Sequence, residues 1–324
     1  MKKWFLIIVS IVVVVCVAAV FVVYSGLNKL QEPELRSVSL EWGQVTSATT
    51  EVLGTITVYN PNSVPLPIES VTCNIKLDGI HVGSAETIDL QIEEEAEFPV
   101  KIVIEIDNAK IPEFWAEHLR RDEKSEAEIV MRIAFDLEGI EFTLPYTLRQ
   151  PVETNILSGL SQIEPISVEK KTDIPILGEK TVFKVSLNKL SGAWGTATPQ
   201  TSQMELIANV YNDNLYPLLI PKIKCIIESN GMPMGSGETG LFNAVLPRSS
   251  KDIGIGVTLD TSLMDEWFVR HIQQGEKSSF AIQILMDFEL PEQVFEMIGR
   301  EDLSITLWEG SHEIETDILG SKRK

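Results

Sequence analysis

Apolar and polar positions along most of this chain recur with a period of two. Val71, Cys73, Ile75 and Leu77 alternate with polar residues, and Val100, Ile102, Ile104 and Ile106 keep the same spacing. Ile129, Met131, Ile133, Phe135 and Leu137 repeat the pattern, as do Phe280, Ile282, Ile284, Met286 and Phe288. Successive strand side chains point to opposite faces, so each run predicts a strand with one face in a core and one towards water. Gly, Pro and Asn clusters interrupt the runs at short intervals, which favours antiparallel pairing in a sandwich. One segment in each half breaks the period. Pro112 opens Glu113–Leu119 as a short helix, proline being suited to a first helical turn. Asp265–Gln273 is its counterpart, with Ser262 as a candidate cap and Gly275 beyond its end.

A third pattern occupies the N-terminus. Residues 4–24 contain no charged side chain, and that length as a helix crosses about 30 Å of hydrocarbon. Val and Ile dominate the run, but in lipid the backbone must satisfy its own hydrogen bonds, so a helix is still expected. Lys2 and Lys3 precede it, and Trp4 and Tyr24 sit where interfacial aromatics belong. The reading is a cytoplasmic stub over residues 1–3, a single transmembrane helix over 4–24, and the remainder outside the cell membrane. A cleaved signal peptide fits less well, because Val20–Val23 continue the apolar run beyond Ala18 and Ala19. A lipoprotein site at Cys16 would need a small residue before it, and Val15 is not small.

The two halves share residues at a nearly constant offset. Trp42-Gly43 recurs as Trp194-Gly195, Val58-Tyr59-Asn60 as Val210-Tyr211-Asn212, Cys73 as Cys225, and Gly83-Ser84 as Gly235-Ser236. Further on, His118 aligns with His271, Glu123-Lys124-Ser125 with Glu276-Lys277-Ser278, and Glu153-Thr154 with Glu315-Thr316. Such a series points to duplication of one domain, the second copy carrying extra residues near 291–300. The expected architecture is mainly β: two tandem fibronectin- or immunoglobulin-like antiparallel β-sandwiches, each of about seven strands with one short α-helix. The domains are placed at 33–157 and 180–319, with a connecting segment at 158–179 and a basic tail at 320–324.

Val58-Tyr59-Asn60-Pro61-Asn62, then Pro65-Leu66-Pro67-Ile68, an alternating strand, Gly79 and Gly83-Ser84 resemble the group 2 late-embryogenesis-abundant family, also called the water-stress-and-hypersensitive-response domain. The resemblance extends to the second copy, where Asp213 replaces the proline to give Asn212-Asp213-Asn214. It implies a fibronectin-like sandwich with one helix, no known catalytic residues, and a role in desiccation or osmotic stress. Turn chemistry accounts for the motif itself. Proline holds Asn60 extended and ends the strand, and Asn62 tolerates a left-handed turn and bonds to nearby backbone.

Composition narrows the function classes. Of 324 residues, 47 are acidic and 27 basic, a net charge of −20 that repels nucleic-acid phosphates. The acids concentrate in residues 33–157, which hold 23 against 9 bases. Glu93-Glu94-Glu95-Ala96-Glu97 could attract a divalent cation, but it lacks alternating oxygen ligands and reads more simply as a solvated loop. The four histidines are His81, His118, His271 and His312. His118 and His271 each follow an aromatic pair on a short helix, with no second ligand at metal spacing, so a packing or hydrogen-bonding role is expected. Cys73 and Cys225 fall on apolar strand faces as small hydrophobes, and one per domain makes no intradomain disulfide. No catalytic, cofactor-binding or metal-ligating residue is assigned, no cofactor is implied, and an enzyme is the least favoured class.

The expected function is a membrane-anchored, non-enzymatic stress-protection or structural protein. Its partners would be membrane lipid through the N-terminal helix and not nucleic acid. The alternatives are a binding module for a lipid or other apolar ligand, and a cell-surface protein-interaction adaptor.

Overall fold

A computed structural model describes residues 31–137, 140–160, 164–239, 243–298 and 303–320. The expected stub, transmembrane helix and most of the basic tail lie outside the described residues. Among the described residues, no helix is long and apolar enough to cross a membrane.

The chain is mainly β and forms two nearly closed sheets. The first holds β1 (Glu34–Val45), β2 (Thr49–Tyr59), β3 (Leu66–Leu77), β4 (Ile80–Ile92), β5 (Glu97–Asp107), β6 (Lys124–Leu137) and β7 (Ile140–Glu153). Their order is β1-β2-β5-β4-β3-β6-β7, antiparallel throughout. The sheet turns its corner where β4 and β5 touch only at Gly83↔Ile106 and Ser84↔Glu105. Glycine is required there, because a Cβ on Gly83 would lie 2.5 Å from the Glu105 carbonyl oxygen.

The second unit repeats this plan with additions. It contains β8 (Ile166–Ile174), β9 (Gly178–Ala197), β10 (Thr201–Asn212), β11 (Leu218–Ser229), β12 (Met232–Glu238), β13 (Asn243–Val245), β14 (Ser249–Asp260), β15 (Lys277–Glu289) and β16 (Leu303–Glu315). The order is β16-β15-β11-β12-β14-β10-β9-β8, with β13 paired to β11. About seven strands were expected per unit, and among the described residues the second has nine. One surplus strand, β8, arises in the segment 158–179, where Val168, Thr172 and Ile174 give only a weak alternation among lysines and acids.

Among the described residues, four short α-helices accompany the sheets: α1 (Ile111–Arg120), α2 (Ile156–Leu160), α3 (Met264–Gln273) and α4 (Glu292–Ile298). α1 and α3 are the two expected helices. α4 occupies the extra residues of the second unit, so that unit has one helix more than expected. Ser262 does not cap α3. A 3-10 turn, Thr261–Leu263, precedes the helix, and Asp260 caps that turn by accepting from the Ser262 N–H.

The apolar faces read from the period are interior. Val71, Cys73, Val100, Ile104, Phe135, Cys225, Ile284 and Met286 have no exposed surface, and the two units form one continuous apolar cluster. Phe135 in the first interior and Phe183 and Phe288 in the second are buried. Among the described residues, a cavity of about 200 Å³ lies beside α2, bounded by Leu160, Phe280, Trp308 and His312, and a more open one of about 440 Å³ lies beside β9, bounded by Lys184, Asp213, Tyr216 and Arg248. The first is below the size of ordinary ligand pockets.

Candidate functional site at the junction of the two units

Two polar motifs recur at equivalent places, and each follows from local chain chemistry. The first is the Asn turn. Asn60 is wholly buried, and its Nδ2 donates to the Val64 and Glu93 carbonyls while its Oδ1 accepts from the Asn62 N–H and Nδ2. Asn62 then clasps the incoming chain: its Oδ1 accepts from the Gln31 N–H at 2.7 Å, and its Nδ2 donates to the Gln31 carbonyl. Asn212 and Asn214 make the same set of bonds, with Lys184 as the clasped residue. Neither Asn62 nor Asn214 is in the left-handed region that asparagine tolerates. The amide itself satisfies the turn, so no unusual φ is needed. Asp213, in place of proline, pairs with Lys184 Nζ at 3.0 Å and with Arg248, and the Lys184 bond holds its carboxyl below the usual range.

The second motif sits at the opposite strand ends. Asp107 ends β5 and caps a 3-10 turn through the Ala109 N–H, and α1 continues from it with Pro112 in its first turn. The helix buries Ile111, Phe114, Trp115, His118 and Leu119, a stripe at helical spacing. The chain then reverses through Asp122 and Glu123, both at positive φ, and the Glu123 N–H returns to the His118 carbonyl. Gly275 and Glu276 close α3 in the same way, Glu276 at φ 61° and Glu123 at φ 63°. A glutamate held in the left-handed region is uncommon and persists where surroundings over-determine it.

The surroundings are buried polar clusters. Glu123 Oε2 accepts from Thr154 Oγ1 and the Ile156 N–H, and Oε1 accepts from the Leu157 N–H and from Trp194 Nε1 at 2.8 Å. Glu276 Oε2 accepts from Thr316 Oγ1 and the Ile318 N–H, and Oε1 accepts from Trp42 Nε1 at 2.9 Å. Each unit therefore lends an indole to the carboxylate of the other. Around this exchange Trp115 packs on Trp267 at 5.0 Å between ring centroids, Trp42 meets Phe268 edge-on, and Arg120 donates twice to the Ala197 carbonyl. The helices differ in one respect: Trp267 Nε1 donates to Ser229, whereas Trp115 Nε1 is buried without a hydrogen-bond partner, Leu77 standing where the other unit has Ser229.

His118, Thr154 and Glu123 resemble a catalytic triad in composition, but their protons run the wrong way. A threonine hydroxyl has one proton, and that of Thr154 goes to Glu123 at 3.0 Å. His118 Nε2, 2.9 Å from Thr154 Oγ1, must then be the donor. Its Nδ1 is left to accept from Ser125 at 3.0 Å, so neither nitrogen is a base for the hydroxyl. Burial pulls the imidazole down to about 4, which keeps it neutral at physiological pH. His271 has the same partners in Ser278 and Thr316. The clusters can fix conformation and orientation, and in the first the Thr154 hydroxyl donates to Glu123 rather than to a base.

The other residues singled out in the sequence are dispersed. Cys73 and Cys225 lie in the cores, and burial pushes both thiols up to about 12. The Glu93–Glu97 run forms an exposed turn and the first residue of β5, and Glu95 donates its N–H to the Asn62 carbonyl. His81 is exposed in β4, and His312 borders the cavity beside α2. Among the described residues, no three His, Cys, Asp or Glu side chains are grouped to hold a metal ion. Sequence reading did not reveal the roles of Trp42, Trp194, Glu123 and Glu276. All four stood among the repeated positions, which was the one signal available.

Residues 55–153 match the family described as late embryogenesis abundant protein. No curated protein matches the chain. Among solved structures, a protein from Archaeoglobus fulgidus is similar at 20% identity and a TM-score of 0.36, over 37% of this chain and 98% of its own. One from Arabidopsis thaliana is similar at 20% identity and a TM-score of 0.31, over 38% of this chain and 82% of its own. A third, described as a candidate late embryogenesis abundant (LEA) protein, has 16% identity and a TM-score of 0.25, over 39% and 74%.

Proposed function

Taking the late-embryogenesis-abundant match of residues 55–153 as its premise, we propose that the chain is a membrane-anchored, non-enzymatic protein that protects or supports the cell envelope under water stress. In this reading residues 4–24 span the membrane, and two duplicated fibronectin-like domains stand outside it. The observation that carries the non-enzymatic part is the proton arrangement of the two buried clusters. The most reactive-looking side chains of both units are committed to holding the chain in place. Burial of the large aromatic side chains Phe135, Phe183 and Phe288 in the interiors supports a structural role over carriage of an apolar ligand there. The net charge of −20 suits a domain that must stay soluble as water is withdrawn.

The test has two arms. Membranes from cells making the chain are washed with carbonate and treated with protease from outside. Retention of the chain with loss of both domains supports the anchor and its orientation, and release by carbonate refutes it. Cells lacking the gene are then dried or osmotically shocked beside complemented cells. Lower survival supports the protective role, and equal survival counts against it.

A further inference from the structure

The two units finish their sheets differently. In the second, β8 is added beyond β9, pairing Ile166 with Leu187 and Val168 with Val185, and it also touches β16. β9 pairs with β10 only from Val185 onward, while residues 178–184 continue outward with β8 as a two-stranded ribbon. The apex of that ribbon, Pro175-Ile176-Leu177, leaves Ile176 and Leu177 exposed. In the first unit the sheet order begins at β1, and among the described residues no strand lies beyond it.

This difference is felt along the seam between the first and last strands. Leu35 pairs with Val58 as Leu187 does with Val210, Leu144 with Ile133 as Ile305 with Met286, and Tyr146 with Met131 as Trp308 with Ile284. Leu187, Ile305 and Trp308 are buried, whereas their counterparts Leu35, Leu144 and Tyr146 keep part of their surface in water. Where the two edges approach, a cavity of about 220 Å³ is bounded by Glu32 and Pro33 ahead of β1 and by Glu141, Thr143 and Leu144 of β7. The edges are unequal hosts for a further strand. β7 carries Pro145 and Pro151, which cannot donate to a ladder, whereas β1 contains no proline.

Charge is reversed between the two seams. In the second unit Glu169 of β8 stands opposite Lys184, the residue clasped by Asn214. The residue clasped by Asn62 is Gln31, and Glu32 follows it, with Glu141 across the cavity. Glu32 and the two edge strands together hold Glu32, Glu34, Glu41, Glu141 and Glu153 against Arg36 and Arg149. Both arginines are already paired, with Glu34 at 2.9 Å and Glu128 at 2.7 Å. The seam therefore calls for a base where β8 carries Glu169.

We propose that the seam between β1 and β7 takes up an extended segment of a partner polypeptide, laid antiparallel along β1 as β8 is along β9. Aliphatic side chains of that segment meet Leu35, Leu144 and Tyr146, and a lysine or arginine stands between Glu32 and Glu141. In strand addition of this kind the backbone ladder supplies affinity and alternate side chains supply selectivity. A second copy offering its own β1 brings acids against acids, so the chemistry favours a basic strand.

The probes are two fluorescein-labelled peptides of residues 166–174, one unaltered and one carrying E169K and D173S, added to the full chain in neutral detergent micelles. Anisotropy is expected to show saturable binding of the lysine-bearing peptide and about tenfold weaker binding of the unaltered one. E32K/E141K is expected to invert that order. Both glutamates are exposed, so its urea midpoint should match that of wild type. No saturable binding of the lysine-bearing peptide, or an order that E32K/E141K leaves unchanged, overturns the docking. A wild-type preference for the unaltered peptide does so too, since it marks exchange with β8 opposite Lys184. Self-association of the wild type that E32K/E141K abolishes, with neither peptide bound, assigns the seam to a second copy and likewise refutes the partner strand.

Discussion

Substituting Glu123 by glutamine changes almost nothing in size and tests the junction at its most crowded atom pair. The carboxylate accepts four donors, two on each oxygen: Thr154 Oγ1 and the Ile156 N–H on Oε2, the Leu157 N–H and Trp194 Nε1 on Oε1. A glutamine in that place offers one oxygen and one NH2. Whichever way the amide turns, the NH2 faces two donors and accepts neither. A buried donor left unpaired costs about 1–3 kcal/mol, so E123Q is expected to lower the unfolding free energy by about 2–6 kcal/mol. Glu276 provides the control, because its oxygens are loaded unequally. Thr316 Oγ1 and the Ile318 N–H share Oε2, and Trp42 Nε1 bonds to Oε1. E276Q can keep its amide oxygen on the doubly loaded side and lose only the Trp42 bond, at about 1–3 kcal/mol. Urea unfolding followed by tryptophan fluorescence measures both, provided the slopes with denaturant agree. The expected result is a loss for E123Q about twice that for E276Q. Equal losses, or an E123Q midpoint indistinguishable from wild type, would refute the hydrogen-bond assignment at the junction.

Three further outcomes follow from buried groups and close approaches. His118 is held neutral, with its folded value at about 4 against an ordinary 6.5. Below pH 6.5 the unfolded chain takes up a proton that the folded chain refuses, so stability is full above that pH and declines as pH falls to about 4, by about 3 kcal/mol. Urea midpoints measured across this window should show a shallower slope in H118Q, and an unchanged slope would remove His118 from the account. Cys73 and Cys225 should react with a thiol reagent only on unfolding, in a chain carrying C16S so that these are the only thiols; rapid labelling of the native chain would contradict their burial. At the corner between β12 and β14, a Cβ on Gly237 would meet the Gly256 carbonyl oxygen, whereas a Cβ on Gly256 meets nothing within 4 Å. G237A is therefore expected to lose about 1–3 kcal/mol and G256A far less, as thermal unfolding can compare.

The residues that were legible in advance are those whose partners are close in sequence or generic in kind. Cys73 and Ile284 needed only an apolar interior, so alternation placed them correctly. α1 was readable because Pro112 and the stripe from Phe114 to Leu119 are local signals. Trp42 illustrates the opposite case. It was visible as half of a repeated Trp-Gly pair, yet its partner is Glu276, 234 positions away and in the other unit. Nothing in the neighbourhood of either residue encodes that meeting. The ribbon was missed for a related reason: β8 is half lysine and acid, because two-stranded structure outside a core needs no apolar face. The resemblance to the family reached the Asn turn, where Asn60 bonds to Asn62 and Val64 of its own loop as well as to Glu93, but not the clasp that Asn62 places on Gln31.

The exchange of indoles bears on whether the two units act as one body. If they parted, water would replace Trp194 on Glu123 and Trp42 on Glu276, and that substitution alone costs only about 0.5–1.5 kcal/mol per bond. The larger loss is apolar. Trp115, Trp267 and Phe268 are each about 5% exposed or less in the joined molecule, and an aromatic side chain buries roughly 150–250 Å², part of which the junction covers. At about 25 cal/mol per Å², exposing even a third of three such side chains outweighs the two hydrogen bonds together. The polar contacts then contribute direction more than affinity: indole N–H groups that reach their carboxylates fix the angle at which the aromatic faces meet. A junction with apolar area for strength and reciprocal hydrogen bonds for angle holds its outer ends at a set separation. That separation is what makes the acidic end at Gln31 and the apolar end at Ile176 opposite poles of one object rather than neighbours on a hinge.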